Sequence, residues 1–185
     1  MTALSPIPQR RNTFHSKRTA TNQTRQQSPT MNKKFFFLFL VVMVGLISCN
    51  QGLVFEKSQE IPNATWDMNA PISFEFDITD TVSLHNFYVT LRNQEAYAFS
   101  NIFLFVSLEF PNGKLNIDTL NCPLADAEGR WYGSGLGDLY DNRIIFKERR
   151  KFPMAGHYRV SIQQAMRSNQ LEGIADVGFR LSKLD

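Results

Sequence analysis

Hydrophobic side chains recur at every second position in several short windows after residue 70. That is the period of a β-strand with one face buried. Ile72, Phe74, Phe76 and Ile78 alternate with Ser73, Glu75 and Asp77. Phe87, Val89 and Leu91 alternate with Tyr88, Thr90 and Arg92, and Tyr158, Val160 and Ile162 with Arg159, Ser161 and Gln163. Val177, Phe179 and Leu181 form the last such run. Ile102 to Phe110 is apolar on both faces at its start, which predicts a central strand. Pro111-Asn112-Gly113 then signals a turn, and Leu115 and Ile117 continue as a short strand, so this segment predicts a hairpin. Arg143 to Phe152 fits either a strand or a short helix. Ser161 to Leu171 is the one place that suggests a helical turn. Asp126 to Asp141, rich in Gly and aromatics, predicts an ordered loop, and Gly52 to Asn63 a linker.

Short strands separated by turns, with no βα alternation, predict an all-β fold. The expected architecture is a single antiparallel β-sandwich, Ig-like or jelly-roll-like, over residues 64–185. Phe152 to Val160 supports it. A Gly turn at Gly156 followed by Tyr158-x-Val160 entering a strand resembles a tyrosine corner, whose hydroxyl pins the preceding loop.

A different pattern precedes the strands. Phe35 to Ile47 is a run of 13 apolar positions apart from Gly45, with Lys33 and Lys34 before it and polar residues soon after it. A membrane-spanning helix needs about 20 apolar residues, whereas this length suits the h-region of a secretory signal. Leu46-Ile47-Ser48-Cys49 fits a lipobox: aliphatic, tolerant, small, Cys. The small Ser48 admits a signal peptidase between Ser48 and Cys49. The Cys49 thiol is then the attachment point for a thioether-linked diacylglycerol, with an N-acyl chain on the new amino terminus. Residues 1–30 hold basic and polar residues and no acid, a composition that does not bury enough apolar surface to fold. Met31 is the expected true start, with 31–48 as lipoprotein signal and 49–63 as lipidated Cys and linker.

Charge and cysteine usage follow from that division. The whole chain carries +3, but seven basic residues and no acid precede Cys49. The remaining 137 residues hold 13 basic and 17 acidic side chains, a net of −4. The basic balance therefore gives no warrant for nucleic-acid binding. With Cys49 lipidated, Cys122 has no disulfide partner and is expected as a small buried hydrophobe.

Trp131-Tyr132-Gly133-Ser134-Gly135-Leu136-Gly137-Asp138 contains a GxGxG run. A dinucleotide site needs those glycines between a strand and a helix N-terminus. No helical pattern follows, so the glycines are expected to serve close backbone approach, and no nucleotide is expected. His85 and His157 have no companion ligands at metal spacing, and no metal or other cofactor is expected beyond the covalent lipid. No nucleophile elbow or Cys/His motif appears, so no catalytic residue is assigned and no enzyme is expected. Glu75 and Asp77 share a strand face, read most simply as a solvated face. Trp131, Tyr132, Gly133 and Gly135, with Arg167 and Asp176, are the candidate partner surface. The rival reading takes Trp131, Tyr132 and Tyr140 as stacking platforms for a glycan.

The lipobox at Cys49, Ile61-Pro62 with Trp66, Phe74 to Ile78, Pro111-Asn112-Gly113, Gly129 to Gly135 and Phe152 to Tyr158 together resemble the gliding motility-associated lipoprotein GldH family of Bacteroidetes. Its most specific part is the tail, Gln164-Ala165-Met166-Arg167 with Leu171 to Gly178. The resemblance implies a non-enzymatic cell-envelope lipoprotein, a component or assembly factor of the machinery for gliding motility and the linked type IX secretion route. It implies an envelope protein complex as partner. Asn50 after the lipidated Cys, and the lack of an acidic cluster in Gln51 to Val54, point to the periplasmic face of the outer membrane. Asp80-Thr81-Val82 and Asp118-Thr119-Leu120 fit the Asp-Ser/Thr-apolar pattern of O-glycosylation in Bacteroidetes, with Thr81 and Thr119 as acceptors.

Overall fold

The structure, a computed structural model, describes residues 52–135 and 137–184. The readings of residues 1–30, the 31–48 signal and the Ser48–Cys49 site lie outside those residues. Ten strands follow in order: β1 (Leu53–Glu60), β2 (Thr65–Asp67), β3 (Ile72–Ile78), β4 (His85–Gln94), β5 (Asn101–Glu109), β6 (Leu115–Pro123), β7 (Leu139–Arg150), β8 (Gly156–Gln164), β9 (Gln170–Glu172) and β10 (Ile174–Lys183). They form two four-stranded antiparallel sheets, ordered β1-β10-β4-β7 and β3-β8-β5-β6, and a two-stranded β2-β9 ribbon. Among the described residues there is no α-helix.

Alternation in the sequence becomes alternation in burial. Along β3 every apolar residue is buried and every polar one exposed, and along β4 His85, Phe87, Val89, Leu91 and Asn93 all point inward. The inner faces meet through aromatic rings: Phe76 of β3 lies 5.3 Å from Phe55 of β1 and 5.4 Å from Phe179 of β10. Burying each such side chain contributes about 1.5–3 kcal/mol, so the sandwich is held chiefly by this shared core. Trp66, 2% exposed, caps one end, its indole N–H donating to the Ala70 carbonyl at 3.0 Å. The tyrosine corner forms as expected: the Tyr158 hydroxyl donates to the Met154 carbonyl at 2.8 Å. So does the hairpin, where the Phe110 N–H reaches the Lys114 carbonyl at 2.8 Å across Pro111-Asn112-Gly113. Gly113, at φ 78°, takes the left-handed position of that turn.

Several segments differ from expectation. The stretch read as linker, 49–63, contains β1, which pairs antiparallel with β10 from Leu53↔Ser182 to Glu60↔Asp176. The sandwich therefore begins at Leu53, not at residue 64. Its sequence, LVFEKSQE, hides this because only Phe55 is even half-buried. An edge strand held by main-chain hydrogen bonds needs no alternation. No helical turn forms in Ser161 to Leu171: β8 runs to Gln164, and β9 pairs with β2 after a bend. Arg143 to Phe152 resolves as strand β7 through Arg150. β5 is interior to its sheet, but only one of its faces is covered, and Phe103 and Phe105 stay 40% and 44% exposed.

The registers also define two ends. The Gly52 carbonyl accepts the Lys183 N–H, Lys183 pairs with His85, and His85 with Arg150. Gly52 and Arg150 thus lie in one row across four strands, about 14 Å apart at the usual inter-strand spacing. Ile174, Asn93 and Tyr140 form a row at the other end.

Candidate functional site

The loop between β6 and β7 lies at the end of the sandwich opposite Gly52. Asp126 builds its first turn. One carboxylate oxygen accepts the Glu128 and Arg130 N–H groups at 3.0 and 2.8 Å, and the other pairs with Arg130 Nε at 2.7 Å. Hydrogen bonding by the Arg130 backbone, then by its side chain, holds the Asp126 carboxyl below its ordinary range. Isolated bridges Ala125↔Trp131 and Ser134↔Asp141 tie the loop down on both sides. Trp131 is half-buried, 5.7 Å from Tyr140 and 6.3 Å from Tyr97, whereas Tyr132 is 63% exposed.

The glycines here have a packing reason. A Cβ on Gly133 would meet the Asn142 side chain and the Asp141 carbonyl at 3.0 Å, and a Cβ on Gly135 would collide with the Leu139 carbonyl. Buried Asn142 supports the loop from beneath, donating to Asn93 Oδ1 at 2.8 Å and to the Tyr140 carbonyl at 3.1 Å. Leaving such a buried amide unpaired costs about 1–3 kcal/mol, so the pair fixes the loop's seat on the sheet.

Asp141 links this loop to the outer face of the β1-containing sheet. Arg92 bridges Asp141 at 2.7 Å and Asp176 at 3.3 Å. The hydrogen bond that Arg92 donates to Asp141 raises the Arg92 pKa further. A depression of about 460 Å³ lined by Tyr132, Gly133, Asp141 and Arg143 lies on one side of Asp141. A second, of about 300 Å³ and including Arg92 and Asp176, lies on the other. Tyr132, Gly133 and Asp176 therefore lie around Asp141, with Gly135 at the loop's base and Trp131 packed against Tyr140 and Tyr97 instead. Arg167 is exposed in the bend between β8 of the other sheet and β9 of the two-stranded ribbon. Sequence reasoning missed Arg92, Asn93, Asp141 and Asn142, because their relation depends on strand register.

Other candidate chemistry is accounted for by pairing. Glu75 meets Arg159 at 2.7 Å and Asp77 meets His157 at 3.0 Å, both as cross-strand neighbours on an exposed face. The Arg159 hydrogen bond lowers the Glu75 pKa, and the Asp77 hydrogen bond raises that of His157. His85 is buried edge-on to Phe152 at 5.1 Å, and burial lowers its pKa. Cys122 is fully buried, and desolvation pushes its thiol up to about 11, so it stays protonated. Thr119 is exposed on edge strand β6, while Thr81 is half-buried in a loop whose Asp80 caps the Val82 and Ser83 N–H groups.

The family model for "GldH lipoprotein" matches residues 53–181, which is β1 to β10. A "Gliding motility lipoprotein GldH homolog" of Christiangramia forsetii is 37% identical over 158 residues, covering 82% of this chain and 95% of that protein. The "Gliding motility lipoprotein GldH" of Flavobacterium johnsoniae is 34% identical over 155 residues, covering 80% and 96%. A chain in a structure of infectious bursal disease virus, Gx strain, aligns over 71% of this chain and 32% of that one, at 10% identity. Its TM-score of 0.24 carries no argument. On the strength of the family match and of these two relatives, this chain belongs to the GldH lipoprotein family.

Proposed function

We propose that the protein is a non-enzymatic lipoprotein, anchored through Cys49 at the periplasmic face of the outer membrane, that docks on a protein complex of the gliding machinery or its linked secretion route. The observation that carries the reading is the opposition of the two ends. β1 begins four residues after Cys49, and its start lies at one end of the sandwich. The Trp131–Tyr132 loop lies at the other, about 30 Å away along a ten-residue strand. A lipid at Cys49 would therefore leave the loop facing away from the membrane, where a protein partner can reach it. The names of the two relatives supply the motility assignment. The ring contacts favour protein docking over sugar stacking, because Trp131 and Tyr140 are spent on each other and Tyr132 alone of the three is largely exposed.

The test is co-purification from cell envelopes in mild detergent, comparing wild type with Cys49→Ser and Tyr132→Ala. Motility or secretion proteins should accompany the wild type, and both variants should recover fewer of them. Because Tyr132 is exposed, its loss should leave the unfolding midpoint unchanged. Unaltered partner recovery by Tyr132→Ala would remove the loop from the interface. Equal solubility of wild type and Cys49→Ser would overturn the anchor.

A further inference from the structure

The two sheets do not close equally on both sides. Where β1 lies over β3, Phe55 and Phe76 meet across the gap. Where β7 lies over β6, a cavity of about 530 Å³ opens, within the range of small-ligand sites. Phe87, Phe110, Phe146 and Phe152 line its apolar part, and Lys147, Arg150 and Lys151, with the Asp118 carboxylate, its charged part.

Bulges in β7 shape this wall. The register shifts between His85 and Phe87 and again between Phe87 and Tyr88. An extra residue in a strand re-aims the side chains beside it. As a result Phe146 and Lys147, although consecutive, both turn inward. Phe146 lies 6.1 Å from Phe87 and 6.5 Å from Phe179, and Lys147 reaches Asp118 on β6 at 2.6 Å. Arg149 is held in the left-handed region at φ 52°, its N–H donating to Asn86 Oδ1 at 2.9 Å. Such a conformation costs an arginine about 1–3 kcal/mol. Arg149, Arg150 and Lys151 follow one another as three exposed cations, on a domain whose net charge from Cys49 onward is −4.

This end of the molecule is also the anchored end. Arg150 lies about 14 Å along the row from Gly52. Cys49 is three positions before Gly52, a separation of at most about 11 Å. A bilayer holding the Cys49 lipid would therefore lie within reach of the basic rim.

We propose that this cavity binds an anionic phospholipid of the anchoring membrane, with an acyl chain against the phenylalanines and the headgroup on Arg150 and Lys151. The source is committed by position, and the sign of the headgroup by the three cations. Lys147 stays with Asp118, and Lys183 with Asp80 at 3.0 Å, so among the described residues at this end the cations outside an ion pair are those of residues 149–151. The proposal rests on lipidation at Cys49 for its orientation.

The experiment uses the full lipoprotein purified from membranes and reconstituted in phosphatidylcholine vesicles. These carry either phosphatidylglycerol or phosphatidylcholine with a photoactivatable group near the acyl terminus. Peptides covering 108–118 and 146–153 should be labelled several-fold more by the phosphatidylglycerol probe. Arg150→Gln with Lys151→Gln should abolish that preference without moving the unfolding midpoint, and Phe146→Glu should abolish labelling of both peptides. Equal labelling by the two probes would overturn the proposal. So would labelling confined to residues 50–57, or an acyl chain of Cys49 itself found in the cavity. Intact mass of the same preparation reads the lipid on Cys49 separately, so failure of the anchor is told apart from failure of the site.

Discussion

Gly178 sits in mid-strand on β10, between β1 and β4. A Cβ there would collide with the Thr90 hydroxyl and lie 2.8 Å from the Lys57 carbonyl. Gly→Ala in an unstrained strand returns up to about 1 kcal/mol through chain entropy, but overpacking costs about 1–3 kcal/mol. Gly178→Ala should therefore destabilise the domain in urea unfolding. Thr90→Ala should recover only part of the loss, because the Lys57 carbonyl remains. The two described histidines act oppositely with pH. Burial depresses the His85 pKa, so its neutral form is favoured on folding. That contribution is present above the unfolded value of about 6.5 and is lost as pH falls through the folded pKa. Asp77 raises the His157 pKa, so its contribution is full below about 6.5 and is lost as pH rises through the folded value. His85→Asn should flatten the fall in stability as pH drops below about 6.5, and His157→Gln should remove the fall in stability as pH rises above about 6.5. A slope unchanged by either substitution would contradict these assignments. Residues like Gly178 and His85 are visible in the sequence, but their neighbours are contributed by strands about 85 or more positions distant for Gly178, and by the far end of β7 for His85.

At the scale of elements, β1 is the clearest correction. Replacing residues 53–60 by a flexible Gly/Ser segment would be harmless if they were a linker. The structure predicts the opposite, because β10 would lose its main-chain partner from Leu53 to Glu60 and Phe76 would lose Phe55. The expected outcome is loss of a cooperative unfolding transition, read by near-ultraviolet dichroism and by proteolysis. The tyrosine corner is a smaller device. Tyr158→Phe removes one hydrogen bond to Met154, worth about 0.5–1.5 kcal/mol, and should loosen residues 152–156 in hydrogen exchange without unfolding the sheet. These elements differed in how legible they were. β3, β4 and β8 announce themselves because one face is buried and the other solvated, and the 111–113 turn because Asn-Gly demands a left-handed position. β1 has almost no buried side chains, so the hydrophobic pattern says nothing of it. The 165–169 bend looked helical because two strands of unequal length meet there without a clean break in polarity.

At the scale of the whole molecule, the described domain has two ends joined by a core. One end holds the start of β1, the basic segment 149–151 and the β6–β7 cavity, and the other the aromatic loop seated on Asn142. Changes at the two ends should be independent. Tyr132→Ala should alter partner recovery and leave lipid labelling intact, while Arg150→Gln with Lys151→Gln should do the reverse. Sites about 30 Å apart with no shared partners are expected to act additively, and the double variant checks this. The sequence by itself determined the all-β class, most of the strands, the hairpin and the tyrosine corner. It also carried the resemblance to a family through motifs spread from Cys49 to Gly178. These are carried by local periodicity and turn chemistry, which need only near neighbours to read. Only the tertiary structure decided that residues 53–60 are a strand, that Arg92 joins Asp141 to Asp176, and that bulges turn Phe146 and Lys147 together into a cavity. Each of these depends on which strands lie side by side and in what register, and that is settled by burial of the shared core rather than by any one segment.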